Sequence, residues 1–259
     1  MPFNFLSKFG FKRSLSCFVF SISLATMISS NPGEAAEQKG HFLYQTSGII
    51  GDQNVFISEN SIKIVDKSFD LITIARAPDW KVTTYHKKSR TICSLPLSSF
   101  NGYISQKEFD STGQSWSDLP FVKSNTKDIA GLDATVFITP GSFVNKQLKD
   151  FDRQFADSKF IKSARYCVSN NLSINPKVRT ILCKFYGLAD KGGLPLEFKY
   201  HDLRGDMHIG LITSQTKINS SLDTRFDVPS GYKKVKNFEE LLKIANSNKS
   251  KVKRRRPLL

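Results

Sequence analysis

The sequence lacks the short motifs that mark common catalytic sites. It contains no GxSxG, HExxH, GxxxxGKS/T or GxGxxG, so the local signatures of nucleophile-elbow hydrolases, zinc proteases, phosphate-binding loops and dinucleotide-binding folds are missing. It also has no CxxC pair and no cluster of Cys and His that suggests zinc. We therefore expect a protein that is not an enzyme and that needs no cofactor or metal.

Cysteine is scarce, with 4 residues in the whole chain. Cys17 lies in an apolar N-terminal run, which leaves Cys93, Cys167 and Cys183 for the rest of the protein. An odd number permits at most one intramolecular disulfide. Cys167 and Cys183 are the nearest pair and form a possible disulfide; the alternative is that all three are buried structural thiols, because spacing does not report the separation that bonding demands.

The N-terminal segment has the three parts of a secretory signal peptide. Its apolar run, Ser14–Ile28, spans about 15 residues, whereas a membrane-spanning helix needs about 20. Basic residues precede the run and small residues follow it: Lys8, Lys12 and Arg13, then Gly33, Ala35 and Ala36. This order predicts a signal peptide over residues 1–36, cut after Ala35 or Ala36.

A retained membrane anchor is the weaker reading of the same segment, because the run is short. Cys17 does not indicate a lipoprotein, since a lipid-modified cysteine would follow the apolar run and this one lies inside it. We expect a periplasmic protein; an extracellular or envelope-associated location is the alternative.

Positive charge is concentrated at the C-terminus of a chain with a formal net charge of +15. Six basic side chains fall within eight positions: Lys249, Lys251, Lys253, Arg254, Arg255 and Arg256. The body that remains is only mildly basic, which does not indicate nucleic acid as a partner. We expect residues 247–259 to form a disordered basic tail, either simply solvated or attracted to anionic lipid headgroups by about 1 kcal/mol per basic residue.

Period-two alternation predicts a mainly β fold. Phe69–Arg76, Lys81–His86, Thr91–Leu97 and Asp133–Thr139 each read as strands joined by short polar turns. The clearest strand is 194–201, where Leu196, Phe198 and Tyr200 share one face, and a turn at 203–206 leads to Ile209 and Leu211. We expect these five side chains to face inward together.

Two helices carry clear end signals. Asn175 is placed to cap a helix with Pro176 at its first position, and Gly187 is placed to end it. A second helix is predicted from Asn237, with Glu240 completing a capping box, to an end near Asn246. Helical spacing of apolar residues also predicts a third helix over 145–158.

Few other residues suggest a ligand site. His201, Asp202, Asp206 and His208 could bind a metal, but Gly205 with flanking Asp residues is also what a hairpin turn needs, and we favour the turn. Trp80 and Trp116 could stack on a ligand, although a Trp beside a turn more often covers the edge of the core.

The order of the segments resembles that of a known group of secreted bacterial proteins. The resemblance rests on the opening meander, a mid-chain strand entry and a closing segment: Ile62–Asp66, Ile72–Asp79, Val82–Tyr85, Thr91–Leu97, Ile129–Ala134, Leu194–Phe198, Gly205 and Phe226–Val235. These segments resemble the lipoprotein-localisation-factor (LolA/LolB-like) superfamily. The resemblance implies an incomplete antiparallel β-barrel over residues 37–246, with a few short helices covering a concave apolar face that holds acyl chains.

The resemblance favours one function and leaves others open. We expect an exported, monomeric binding or carrier protein that shelters a lipid or lipoprotein acyl group among Leu196, Phe198, Tyr200, Ile209 and Leu211. The alternative is a non-enzymatic envelope structural or interaction module whose barrel is filled by its own side chains. A hydrolase with a non-standard site is a third reading, supported only by scattered His and Asp residues.

Overall fold

A computed structural model describes residues 40–102, 115–144, 160–219 and 226–254. The predicted signal peptide and the helix predicted over 145–158 lie outside these residues, as do Arg255 and Arg256. None of the helices in the described ranges is long and apolar enough to span a bilayer.

The described strands form one sheet of twelve strands. In chain order they are β1 Gly40–Ser47, β2 Gly51–Ser58, β3 Ser61–Asp66, β4 Leu71–Arg76, β5 Lys81–His86, β6 Thr91–Pro96, β7 Val122–Ile129, β8 Leu132–Ile138, β9 Ile161–Ser169, β10 Leu194–Asp202, β11 Met207–Asn219 and β12 Lys233–Lys234. Their order across the sheet is β12-β6-β5-β4-β3-β2-β1-β11-β10-β9-β8-β7. Every pairing of these described strands is antiparallel except that of β12 with β6, so the sequence-predicted meander is confirmed.

A helix lies in the concavity of this sheet. Helix α1, Pro176–Tyr186, begins where Asn175 accepts a hydrogen bond from the Lys177 N–H and ends at Gly187, whose φ of 65° is left-handed, so both predicted ends are confirmed. Its Lys184 donates to the carbonyl of Leu97, which follows β6. Its Cys183 contacts Tyr166 in β9, at the far side of the seven strands that separate β9 from β6. The sheet therefore curls around α1.

A second helix covers another part of the same inner surface. Helix α2, Phe238–Arg254, packs against β5 and β6 through the buried Leu241 and Ala245. One of the two bonds of the predicted capping box is present, because the Glu240 N–H donates to Asn237 Oδ1 at 2.9 Å. The Glu240 carboxylate accepts at 3.0 Å from the N–H of Lys236, one residue before the N-cap, and not from that of Asn237.

The helix continues beyond its predicted end. It reaches Arg254, whereas the sequence predicted an end near Asn246 and a disordered tail from residue 247. Residues 247–254 contain no Gly or Pro, and cations in a last helical turn are stabilised by the helix dipole. The helix can therefore continue to Arg254.

The opposite, outer face of the sheet is covered at one end by the segment 226–232. Phe226 and Tyr232 pack against Ile72, Ile74 and Tyr85 there, and this small cluster is separate from the main core. The Tyr232 ring meets the Tyr85 ring edge-on, with centroids 5.7 Å apart. Strands β3 to β6 are consequently buried on both faces near this segment.

A bulge at Gly210 corrects one predicted orientation. Phe198 pairs with Leu211 while Lys199 pairs with Ile209, so Gly210 is an extra residue on β11. Leu211 stays in the core, but Ile209 is 42% exposed and Met207 is 60% exposed. The prediction that Ile209 faces inward with Leu211 is wrong, because the bulge reverses the alternation between them. The architecture as a whole is mainly β, an open curved sheet with a few helices, as predicted.

Candidate functional site

The concavity that was expected to hold a ligand is occupied by α1. Val178, Ile181, Leu182, Phe185 and Tyr186 are buried in the same core as the inner residues of the sheet. Leu196, Phe198 and Leu211, three of the five predicted cavity residues, are themselves fully buried in this core.

A polar network fixes α1 in place. The Tyr186 hydroxyl donates to Gln45 Oε1 at 3.0 Å and lies 3.3 Å from Gln53 Oε1. The Gln45 amide donates in turn to the carbonyl of Pro195 and to Thr213. Burial raises the pKa of Tyr186 well above its usual value, so this hydroxyl keeps its proton. Satisfied buried networks of this kind define one packing arrangement, which makes α1 an integral part of the core.

The remaining two predicted cavity residues do line a cavity. It lies at the ends of strands β1, β10 and β11, near the middle of the strand order, between the β1–β2 turn, the short 3-10 helix Trp116–Asp118 and the start of β11. Its volume is about 390 Å³. Its lining is largely apolar and consists of Gly48, Ile49, Trp116, Tyr200, Met207, His208 and Ile209. We call it the Trp116 cavity.

Stacked rings form the wall of the Trp116 cavity. Trp116 lies 4.6 Å from Phe198 and 5.7 Å from Tyr200, and Tyr200 stacks on His208 with centroids 4.9 Å apart. Trp116 is buried, and its indole N–H has no acceptor among the described residues. The prediction that Trp116 covers the edge of the core fits this placement, and the same ring also faces a cavity. Trp80 is buried too, close to Lys177 of α1.

His208 is held by the turn that joins β10 to β11. Asp202 accepts from the backbone N–H groups of Arg204 and Asp206 and from the His208 ring at 2.9 Å. Burial opposes ionisation of Asp202, but these bonds outweigh it and lower its pKa. Gly205 has a φ of 93°, as the predicted turn requires. The described residues contain no group of three potential ligands that could hold a metal.

Two further cavities flank the segment 226–232 on the outer face. One, about 440 Å³, lies beside Pro78 and Phe226; the other, about 350 Å³, lies beside Ile92 and Tyr232. Val228 and Lys81 line both. Nothing in the sequence pattern indicated these cavities, because they form only where a distant segment crosses the sheet.

The cysteines are free thiols in the structure. The possible Cys167–Cys183 disulfide is not formed. Cys183 contacts Tyr166, the neighbour of Cys167 on β9, and successive residues on a strand face opposite sides of a sheet. Cys167 instead lies beside Glu197, on the side of β9 opposite to Tyr166. Burial raises the pKa of Cys167 to about 11 and that of Cys183 to about 12, so neither supplies a thiolate near neutral pH.

The predicted membrane-surface residues lie partly in α2. Lys249, Lys251, Lys253 and Arg254 belong to its last turns, while Arg255 and Arg256 fall outside the described residues. The six cations thus do not all belong to an irregular tail.

Comparison with known proteins gives structural matches alone. No protein-family model matches the chain, and no curated protein matches it. A solved structure of an uncharacterized conserved protein from Thermus thermophilus is 8% identical over 77% of this chain and 91% of its own, with a TM-score of 0.39. MucB from Pseudomonas aeruginosa, solved in complex with MucA, is 11% identical over 78% of this chain and 60% of its own, with a TM-score of 0.30.

The matches also include a LolA superfamily protein from Nitrosomonas europaea. It is 11% identical over 74% of this chain and 89% of its own, with a TM-score of 0.21. At these identities and TM-scores the matches do not assign the chain to a family, and the fold class rests on the sheet itself.

Proposed function

We propose that the protein is an exported, non-enzymatic binding protein that holds an apolar group of a lipid or lipoprotein in the Trp116 cavity. One observation supports this above all: a largely apolar cavity of about 390 Å³ opens beside exposed apolar side chains on the first residues of β11. Small-molecule sites in proteins are typically about 300–1,000 Å³ and mostly apolar.

The Trp116 cavity replaces the large concavity as the proposed site because α1 occupies the latter. An acyl chain in the concavity would have to displace α1 together with its buried Tyr186 network. An acyl chain in the Trp116 cavity contacts rings that are already in place. Pre-formed sites bind at a lower entropic cost than sites that must first open.

The size of the cavity sets the strength expected of such binding. Burying each methylene contributes about 0.8 kcal/mol, so about ten methylenes contribute about 8 kcal/mol before the cost of association is subtracted. The net affinity is then micromolar or weaker. A carrier that must release its cargo needs binding in this range.

Two exposed residues of β11 allow a matched test. Met207 lines the cavity and is 60% exposed, whereas Ile218 lies on the same strand, is 75% exposed and lines none of the described cavities. We expect Met207→Asp to weaken binding of a fluorescent fatty-acid probe about tenfold and Ile218→Asp to change it less than twofold. Equal affinities of the two folded variants would place the probe elsewhere.

Native mass spectrometry of protein purified from its own envelope tests the ligand itself. A co-purified acyl species that Met207→Asp abolishes supports the proposal. The second candidate function is an envelope interaction module, which the self-filled concavity favours. A clean apo mass, together with a failure of fatty-acid probes to bind, would support that candidate instead.

A further inference from the structure

A buried glutamate in β10 gathers three cations. Glu197 in β10 is only 5% exposed. Its Oε1 accepts from Lys127 at 2.9 Å and lies 3.1 Å from Arg165, and its Oε2 lies 2.9 Å from Lys199. Three cations against one carboxylate leave a formal surplus of two positive charges at this point.

The protonation state of Glu197 preserves this arrangement near neutral pH. Burial opposes ionisation, but hydrogen bonds from Lys127 and Lys199 outweigh it and lower the pKa of Glu197. The carboxylate is therefore ionised, and both of its oxygens are already engaged. A further anion would meet cations whose charge the glutamate neutralises only in part.

Two of these cations belong to a row that crosses five neighbouring strands. Val122 in β7 pairs with Ile138 in β8, Ile138 with Arg165 in β9, Arg165 with Lys199 in β10, and Lys199 with Ile209 in β11. Paired residues share one face of a sheet, and five strands span about 19 Å. We call these five residues the cationic row.

The apolar members of the cationic row are exposed. Val122 is 46% exposed, Ile138 is 39% exposed and Ile209 is 42% exposed. They lie at the two ends of the row, with Arg165 and Lys199 between them. A large exposed apolar side chain next to incompletely neutralised cations indicates a partner that is both anionic and apolar.

We propose that the cationic row docks onto the anionic phospholipid headgroups of a membrane. Phosphate oxygens would accept hydrogen bonds from Arg165 and Lys199, and the apolar ends would lie among the headgroups. A protein partner is the less favoured occupant, because stable protein interfaces have a contiguous apolar centre and here the cations separate the apolar side chains. The cationic row shares only Ile209 with the lining of the Trp116 cavity, and its docking does not depend on a ligand there.

The test measures co-sedimentation of the mature chain, tail included, with vesicles of phosphatidylglycerol and phosphatidylcholine. Each basic residue near an anionic surface contributes about fivefold to binding, so Arg165→Gln with Lys199→Gln should weaken it about 25-fold. The control removes the same charge at a distance from the cationic row, with Lys87→Gln after β5 and Lys236→Gln after β12. It should weaken vesicle binding less than threefold. Both exchanged control residues are exposed.

A substitution of Glu197 should change vesicle binding in the opposite direction. Glu197→Gln raises the surplus charge by one and should strengthen vesicle binding about fivefold, which no purely structural role of Glu197 would produce. If that variant fails to fold, Ile138→Glu at a 39% exposed position should weaken binding instead. Equal vesicle binding by the double variant and its control would overturn the proposal. So would a double variant that keeps its binding to vesicles and loses binding to an acidic protein.

Discussion

The indole ring of Trp116 lies directly over Gly210. A Cβ at residue 210 would be 2.8 Å from two ring atoms of Trp116 and 2.4 Å from Cδ1 of Phe198. The bulge of β11 therefore occurs at a residue without a side chain, and that gap is filled by the ring that borders the cavity. The core, the bulge and the proposed site share one packing contact.

This contact predicts a clear effect of Gly210→Ala. The added methyl group must push Trp116 or Phe198 aside, and such overpacking destabilises a protein by about 1–3 kcal/mol. Gly141→Ala is the control, because nothing lies within 4 Å of the Cβ it would add. Urea unfolding of both variants measures the difference, and equal midpoints would show that the rings yield without strain.

The lowered pKa of Glu197 predicts how stability depends on pH. Its folded-state pKa lies below 4.5, so its contribution is present above that value and is lost as pH falls through the folded pKa. Wild type should therefore be more stable than Glu197→Gln at pH 7, and the difference should shrink as pH falls below about 4.5. The free energy of unfolding is measured for both proteins at each pH. The difference between the two values removes the contribution of the other titrating groups, because both proteins contain them. A difference that stays constant with pH would contradict the ion-pair assignment.

The buried thiols predict slow chemical modification. With Cys93, Cys167 and Cys183 free and buried, native protein should react slowly with a thiol reagent, and protein unfolded without reductant should react at all three. The control is unfolded protein treated with reductant, which should give the same number of modified thiols. A single reactive thiol before reduction would show that a disulfide had formed.

The C-terminal cations predict a salt-dependent attachment. Deleting residues 249–259 should weaken binding to anionic vesicles, and wild-type binding should fade toward about 0.5 M salt, where the screening length is only a few ångströms. The melting temperature should barely change, because Leu241 and Ala245, the buried side chains in the part of α2 whose side chains are described, both precede the deletion. If the truncated chain binds vesicles as well as the wild-type chain does, the tail is not the membrane contact. The cationic row would then be the proposed contact that remains.

The N-terminal segment predicts export with cleavage near Ala35 or Ala36. N-terminal sequencing of protein from the envelope fraction should read from residue 36 or 37. Replacing both Ala35 and Ala36 with large charged residues should leave the precursor uncut, since the residue before the cleaved bond must be small. An envelope protein that still begins at Met1 would contradict the prediction.

Local signals in the sequence were enough to predict many of the elements, although strands β7, β9 and β12 were not predicted. Asn175, Pro176 and Gly187 define α1 because capping depends on neighbours within one turn. The alternation from Leu196 to Tyr200 likewise predicted β10, since strand periodicity is local. The full extent of α2 was not predicted, because the loss of apolar residues and the run of cations after Asn246 indicated a disordered tail.

The site required contacts between distant residues. The bulge at Gly210 depends on Trp116, nearly a hundred positions earlier in the chain, and no pattern within β11 marks it. The filled concavity depends on Tyr186 meeting Gln45 and Gln53. The cations around Glu197 come from β7, β9 and β10, and only the register of the finished sheet brings them together.

The pairing of β1 with β11 has a consequence for how the chain matures. Gly40 lies opposite Asn219, and the other neighbour of β1 in the sheet is β2. In a chain that is synthesised and delivered from its N-terminus, β1 to β6 can form a meander early, but one edge of β1 stays unpaired until β11 arrives. Open strand edges aggregate, and contacts of such long sequence separation form slowly. We expect the nascent protein to depend on a chaperone during that interval, and the finished protein to have no such need.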